Sequence, residues 1–330
     1  MSILPLGLLS GGLFGAGLVV GGVHLPELIQ QQMLFRDFSM MKMFLAAVAT
    51  SSASMVVINT IKPSHSAKPK STQDLFGVPF GGNIIGGCLL GAGMAVSGTC
   101  PGTVYAQVGA GVPGSLWALC GGLLGALIYS QLHPLINNRS GSTPTLHQST
   151  HKTTSHSNVI IGGAATLAAV ALALVFPQKG PSAYLPFIGG FMVGASQLFS
   201  LLISGVPLGM SSSFVTCTAA AVSSVDASIL KKDYLSQFTG ALKDKWAVSV
   251  AVGAILGGYF VNILSSPSHS LPVSTMSALV GGFLVVFGAR CAGGCTSGHG
   301  ISGVPTGSFS SIVTVAAIFA GGIATSFFIR

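Results

Sequence analysis

Two short stretches of this 330-residue chain concentrate the residue types able to do chemistry. The first is Ser97-Gly98-Thr99-Cys100-Pro101-Gly102-Thr103, and the second runs Arg290-Cys291-Ala292-Gly293-Gly294-Cys295-Thr296-Ser297-Gly298-His299. A thiol is a weak donor and a soft, polarizable acceptor, so it suits a sulfur-bearing anion better than a hard one such as phosphate or chloride. Three uses compete for Cys100 and Cys295: a disulfide, a metal site, and thiols that touch substrate. The spacing Cys291-x3-Cys295-x3-His299 has metal-ligand types but lacks a fourth ligand and a recognised pattern, so metal binding is not expected. A Cys100–Cys295 disulfide depends on distances that a sequence does not contain. Arg290 sits at the end of an apolar run, where a guanidinium costs at least about 2.5 kcal/mol on insertion scales and by default marks a substrate path, the alternative being a snorkelling side chain.

The elements that must hold these residues are membrane helices. Lys and Arg number 14 and Asp and Glu 6, or 6% charged against 50% hydrophobic, with 46 glycines and a mean hydropathy of +0.75. A soluble domain carries about 25% charge, so the class is an all-α polytopic membrane protein. The net charge of +8 comes from scattered lysines without a basic stripe, which excludes a nucleic-acid-binding surface. Apolar runs predict about nine spans, at 3–22, 40–61, 79–96, 113–132, 158–176, 184–204, 246–264, 273–289 and 306–328, with a shorter piece at 208–224. The first carries no basic leader or cleavage pattern and reads as a span. A Ser/Thr/His-rich tract, 133–157, separates an N-terminal membrane half, 1–132, from a C-terminal half, 158–330. Its His133, His147, His151 and His156 read as solvated. Alternating the spans puts nine loop cations on the side of the N-terminus, Lys70 among them, and four on the other, Lys42 among them. That excess predicts a cytoplasmic N-terminus; the membrane expected is a plasma or inner membrane.

Internal repeats organise the chain. At an offset of 76, Gly11, Leu13, Gly15, Ala16, Gly17, Val20 and Gly22 fall on identical residues, and His24 falls on Cys100. At an offset of 195, Gly87, Leu89, Gly93, Gly98 and Cys100 fall on Gly282, Leu284, Gly288, Gly293 and Cys295. Gly-Val-Pro occurs at 77–79, 111–113, 205–207 and 303–305. Two pseudo-symmetric halves of two repeats each are expected, with short re-entrant helices and loops. Interrupted apolar segments in corresponding positions point to a transporter's binding site. Backbone amides freed at each break favour an anion. The candidate substrate path therefore takes Cys100, Cys295, Cys291, His24, Arg290 and His299, with Thr99 and Thr296 flanking the thiols. Cys88, Cys120 and Cys217 read as small apolar helix residues.

The segments Gly91-Ala92-Gly93-Met94 to Thr103 and Gly288-Ala289-Arg290 to Gly300 resemble the YeeE/YedE family of sulfur-transport membrane proteins. Gly11 to Pro26 and Ile203 to Gly209 resemble that family's other repeat segments, so the likeness covers essentially all but the 133–157 tract. The resemblance implies loops dipping to the bilayer centre, and uptake of thiosulfate passed between cysteines along a narrow path. Cys100 and Cys295 match the family's motif cysteines. His24 stands where the family pattern commonly has a cysteine, and Cys291 is an added thiol. No catalysis and no cofactor is implied, and no ATP-binding loop is present. The expected partners are the lipid bilayer, a sulfur anion, and a soluble TusA-like sulfur carrier docking on the basic 231–245 loop. A membrane sulfurtransferase forming a Cys persulfide, a general anion channel, and a scaffold or accessory subunit that docks the carrier through that loop are the alternatives.

Overall fold

Seventeen residues of α-helix rise about 25 Å, less than the roughly 30 Å of a bilayer's hydrocarbon core. That shortfall governs the architecture of the chain, seen in a computed structural model that describes residues 3–75, 77–137, 155–176, 184–225, 233–238, 242–265 and 272–329. Among the described residues six helices are long and apolar enough to cross a membrane, and three more, Leu4–Val20, Gly81–Ser97 and Thr275–Cys291, are apolar but short. The protein is an all-α polytopic membrane protein. An isolated bridge between Leu75 and Val78 is the extended pairing recorded among those residues.

A common element order recurs along the chain: a glycine-rich helix, a break, a short helix, then a long one. It appears as α1 (Ile3–Val20), α2 (Pro26–Met33) and α3 (Ser39–Ile61), and again as α4 (Gly81–Ser97), α5 (Thr103–Gly109) and α6 (Ser115–Asn137). After α7 (Ser155–Val175) come α8 (Leu185–Ser204), α9 (Ser211–Val225), the one-turn α10 (Asp233–Ser236) and α11 (Leu242–Leu264). The last set is α12 (Thr275–Cys291), a π-helical turn Ser297–Gly303, and α13 (Phe309–Ile329). Local chemistry places the breaks. Gly98 and Gly205 adopt the left-handed conformation just past α4 and α8 (φ 63° and 67°), and their amides close the last turns on Met94 O and Leu201 O. Such a residue ends a helix at little cost only when it lacks a Cβ. Pro26 then opens α2 at a position whose N–H has no intrahelical use.

Small residues let the helices meet backbone to backbone. Helix α1 packs on α11 and α8, α4 lies between α12 and α13, α12 also meets α6, and α3 runs along α7 and α8. These partnerships run between the two halves of the sequence. A Cβ on Gly91 would lie 1.9 Å from Ile318 O, and one on Gly15, its counterpart at the offset of 76, would lie 2.1 Å from Ala254 O. Corresponding glycines thus make corresponding close approaches, each to the next long helix of another set.

Some expectations change. Helix α6 continues to Asn137 and α7 starts at Ser155, so the ends of the predicted 133–157 tract are helical because α6 continues through Pro134. Residues 138–154, including Arg139, His147, His151 and Lys152, lie outside the described residues, as do Lys179, Lys231, Lys232, Arg330 and the side chains of His156 and Lys243. His133 is not simply solvated, since its ring lies 4.4 Å from that of Tyr234. Two lysines counted as loop charges are turned inward. Lys42, 2% exposed, donates to Phe176 O at 2.6 Å, and Lys70 belongs to the site described next.

Gly91→Ala is expected to lower the thermal midpoint of the purified protein by the equivalent of about 1–3 kcal/mol, the usual range for overpacking. Gly12→Ala, whose Cβ would meet nothing closer than 3.8 Å, should leave it unchanged or slightly raised.

Candidate functional site

The breaks converge. Each leaves backbone amides at the start of the following helix, and the thiols occupy those positions. Cys100, 9% exposed, sits at the head of α5: Thr103 N donates to its sulfur at 3.4 Å, and Cys100 N donates to Thr103 Oγ1 at 2.7 Å. Cys295 is fully buried, with Sγ 3.2 Å from Ser297 Oγ. The amides of Gly298 and Ser211 also reach that sulfur, so the π-helical turn and α9 both present their N-terminal ends to it. Cys100 and Cys295 are close enough to interact electrostatically. Both are free thiols.

Cys100 lines one of two nearby cavities, and Cys295 adjoins them through Thr296 and Ser297 on one side and Lys70 on the other. The larger, about 310 Å³, is lined by Lys70, Gly209, Met210, Ser212, Phe238, Trp246, Arg290 and Gly293 among others. The smaller, about 60 Å³, is mostly apolar and is lined by Phe14, Met40, Met43 and Phe44 together with Cys100, Thr103, Thr296 and Ser297. Met210 N donates to Ser297 Oγ at 3.4 Å, so the wall between the cavities is the first turn of α9 against the π-helical turn that follows Cys295. The third break supplies no thiol, but it supplies that wall.

The remaining predicted residues divide. Thr99 Oγ1 donates to Cys100 O at 3.2 Å, and Thr296 Oγ1 points at Met94 Sδ, 3.7 Å away, while also lining the smaller cavity. His299 is engaged at both nitrogens, by Ser311 Oγ at 3.0 Å and by Ala292 O at 3.0 Å. The carbonyl can only accept, so Nε2 carries the proton and Nδ1 accepts from the serine. His299 ties the turn to the loop before it and to α13. His24 is 3% exposed with Nδ1 unpartnered in the first break. Cys291 faces a separate apolar pocket formed with Leu75, Ile85, Leu89, Leu132, Leu135, Ile136 and Phe287, away from the other two thiols. One residue of α-helix turns the chain by about 100°, so adjacent Arg290 and Cys291 face different cavities. Arg290 donates from Nε to Tyr234 Oη at 2.7 Å, with its guanidinium carbon 5.8 Å from the Tyr234 ring centroid and 5.4 Å from that of Phe238.

Lys70 was not singled out by its sequence. It lies in the 62–80 connection, which folds back into the protein. Its carbonyl accepts from Ser308 Oγ and Ser310 Oγ at 3.1 and 2.9 Å, and three residues on Gln73 N donates to Asn83 Oδ1 at 2.8 Å. Asn83 in turn reaches Thr314 Oγ1 and Ala292 O. The ammonium is thereby carried to the Gly293-Gly294 loop, 3.4 Å from Gly293 O, where a Cβ on Gly294 would approach it to 2.2 Å. A Cβ on Gly298 would touch both Lys70 Nζ and Cys295 Sγ. Burial lowers the Lys70 ammonium from its ordinary value; the Cys295 thiol opposes that and the Arg290 charge adds to it. The glycine doublet in the sequence signals a close approach, but it does not name what approaches.

A family model described as sulphur transport matches residues 20–324. The chain belongs to the sulphur transport family. It is 25% identical over 332 aligned positions to a protein of Spirochaeta thermophila named thiosulfate transporter TsuA, with 92% of each chain covered. Proteins of two Xylella fastidiosa strains named probable transporter are 29% identical over 147 residues, covering 44% of this chain and 93% of theirs. This member of the family is an integral membrane protein, and its relatives are named as transporters.

His299→Phe is expected to lower the thermal midpoint of the purified protein, because Ala292 O and Ser311 Oγ are left buried and unpaired at about 1–3 kcal/mol each. Uptake per folded molecule should then fall less than uptake per cell.

Proposed function

We propose that this protein carries thiosulfate or a related sulfur-containing anion across the bilayer, with the substrate handed between Cys295 and Cys100. The observation that carries this reading is the position of two free, buried thiols from corresponding breaks, Cys100 on the apolar cavity and Cys295 next to Lys70, which lines the cationic one. The anion occupies the cavity that Arg290 lines, passes the wall between Met210 and Ser297, and meets each sulfur where backbone amides already point. A thiol can donate S–H to the anion and accept from an amide in return, so neither step leaves a polar group unpaired. Thr99 and Thr296 supply hydroxyls beside the thiols, and His24, whose Nδ1 has no partner in the first break, supplies an imidazole that can donate to the anion. Cys291 takes no step, and His299 holds the turn. Each contact is weak, as passage through a multi-site path requires.

On the same reading the N-terminus is cytoplasmic, resting on the excess of loop cations on that side. Delivery to a soluble TusA-like carrier rests on the lysines of 231–245.

Cells carrying Cys295→Ala or Cys100→Ala should take up radiolabelled thiosulfate at least about tenfold more slowly, equivalent to about 1.4 kcal/mol in the barrier; undiminished uptake in both would sink the relay. The cation beside Cys295 favours a second reading, a sulfurtransferase. There the Cys295 thiolate attacks the outer sulfur of thiosulfate, an S–S bond forms, and sulfite leaves with the electron pair. A persulfide mass increase on Cys295 after thiosulfate exposure decides for it, and transport without adduct decides against it.

A further inference from the structure

The cavity that Lys70 and Arg290 line has an unbalanced charge. Among the described residues these two cationic side chains line it, and no carboxylate does. The charged and titratable groups around Lys70 are Cys295, His299 and Arg290, a thiol, an imidazole and another cation. Like charges drawn together without a counter-charge are unfavourable, and a bilayer protein with so few charges places both here by separate means. Lys70 is brought in by a connection anchored on both sides, through Ser308 and Ser310 at its own carbonyl and through Asn83 at Gln73. Arg290 is held by Tyr234 at Nε and flanked by the Tyr234 and Phe238 rings. Among the described residues that is its recorded hydrogen bond, so the two terminal guanidinium nitrogens, the pair that grips an oxyanion side-on, are the part not committed to Tyr234.

We propose that this cavity is a loading site for a divalent sulfur oxyanion, that Lys70 and Arg290 bind its oxygens together, and that Lys70 is the residue that sets the preference for divalent over monovalent anions. The proposal rests on the transport reading and adds to it the residue and the charge class. Lys70 reaches the Gly293-Gly294 loop, and its nitrogen shares the Gly298 contact with the Cys295 sulfur. An anion held there by its oxygens has its outer sulfur within reach of the first thiol. Sulfate offers the same oxygens and the same charge without a soft end, so it loads but does not proceed. Gly294 has no side chain because any Cβ would take the space of the ammonium, at 2.2 Å.

The test is calorimetric titration of the purified full-length chain in lipid nanodiscs with sodium thiosulfate, sodium sulfate and sodium chloride at constant ionic strength. Wild type is expected to bind thiosulfate and sulfate at least tenfold more tightly than chloride. Lys70→Gln, checked for its thermal midpoint, should lose at least tenfold for both divalent anions with chloride unchanged, and Lys70→Arg should stay within a few-fold of wild type. Lys70→Gln binding divalent anions as wild type does overturns the proposal. So does a wild type that binds chloride as tightly as sulfate, which holds even if the glutamine variant fails to fold. Lys70-dependent binding of both divalent anions without thiosulfate uptake supports this site and overturns the transport reading. Cysteine-dependent uptake with unchanged Lys70→Gln binding does the reverse.

Discussion

A broken helix in hydrocarbon leaves amides and carbonyls without partners, and each costs several kcal/mol unless protein or enclosed water supplies one. This constraint accounts for most of what surrounds the site. The short helices α1, α4 and α12 rise less than the roughly 30 Å of a hydrocarbon core, and the chain breaks after each of them. The amides released at the breaks find sulfur and hydroxyl acceptors: Thr103 N and Cys100 N on Cys100 Sγ and Thr103 Oγ1, Met210 N on Ser297 Oγ, and Gly298 N on Cys295 Sγ. A group that satisfies a helix N-terminus in the resting protein is also one that an anion can displace or share, so the repair of the backbone and the path for substrate use the same atoms.

The glycines follow from the same constraint. A break is protected only if intact helices close around it, and they close tightly when carbonyl meets glycine, as Gly91 does with Ile318 and Gly15 with Ala254. The polar groups that support the breaks are paired in turn. His299 joins Ala292 to Ser311, and Asn83 joins Gln73 to Thr314 and Ala292. Asn83 thus binds the connection that carries Lys70 to the loop that carries Cys295. The two parts of the cation-and-thiol arrangement are held by one side chain, 0% exposed, that is neither cationic nor nucleophilic.

Much of the fold was legible in sequence, because apolar periodicity and length decide whether a segment can lie in a bilayer. The nine expected spans have counterparts in α1, α3, α4, α6, α7, α8, α11, α12 and α13, and the 208–224 piece is α9. The thiol loops were legible because glycine and proline cannot continue a helix. Less legible were the partners of each charge. Arg290 stood out from its apolar run, yet Tyr234, which orients it, lies 56 residues away on a one-turn helix with no pattern of its own. Cys291, read as an added thiol on the path, faces a different pocket from Arg290, since adjacent residues on a helix diverge by about 100°.

The sequence by itself determined that this chain is helical and membrane-embedded, where its helices are interrupted, and that two thiols occupy matching interruptions. These are local properties: hydropathy, helix propensity and the φ that glycine alone adopts easily. Only the tertiary structure decided that a lysine from a polar connection, Lys70, rather than any charge in the apolar runs, comes to lie beside Cys295, and that it shares a cavity with Arg290. The reason is distance along the chain. The carbonyl of Lys70 is fixed by serines 238 and 240 residues on, and no short-range pattern encodes a contact of that span.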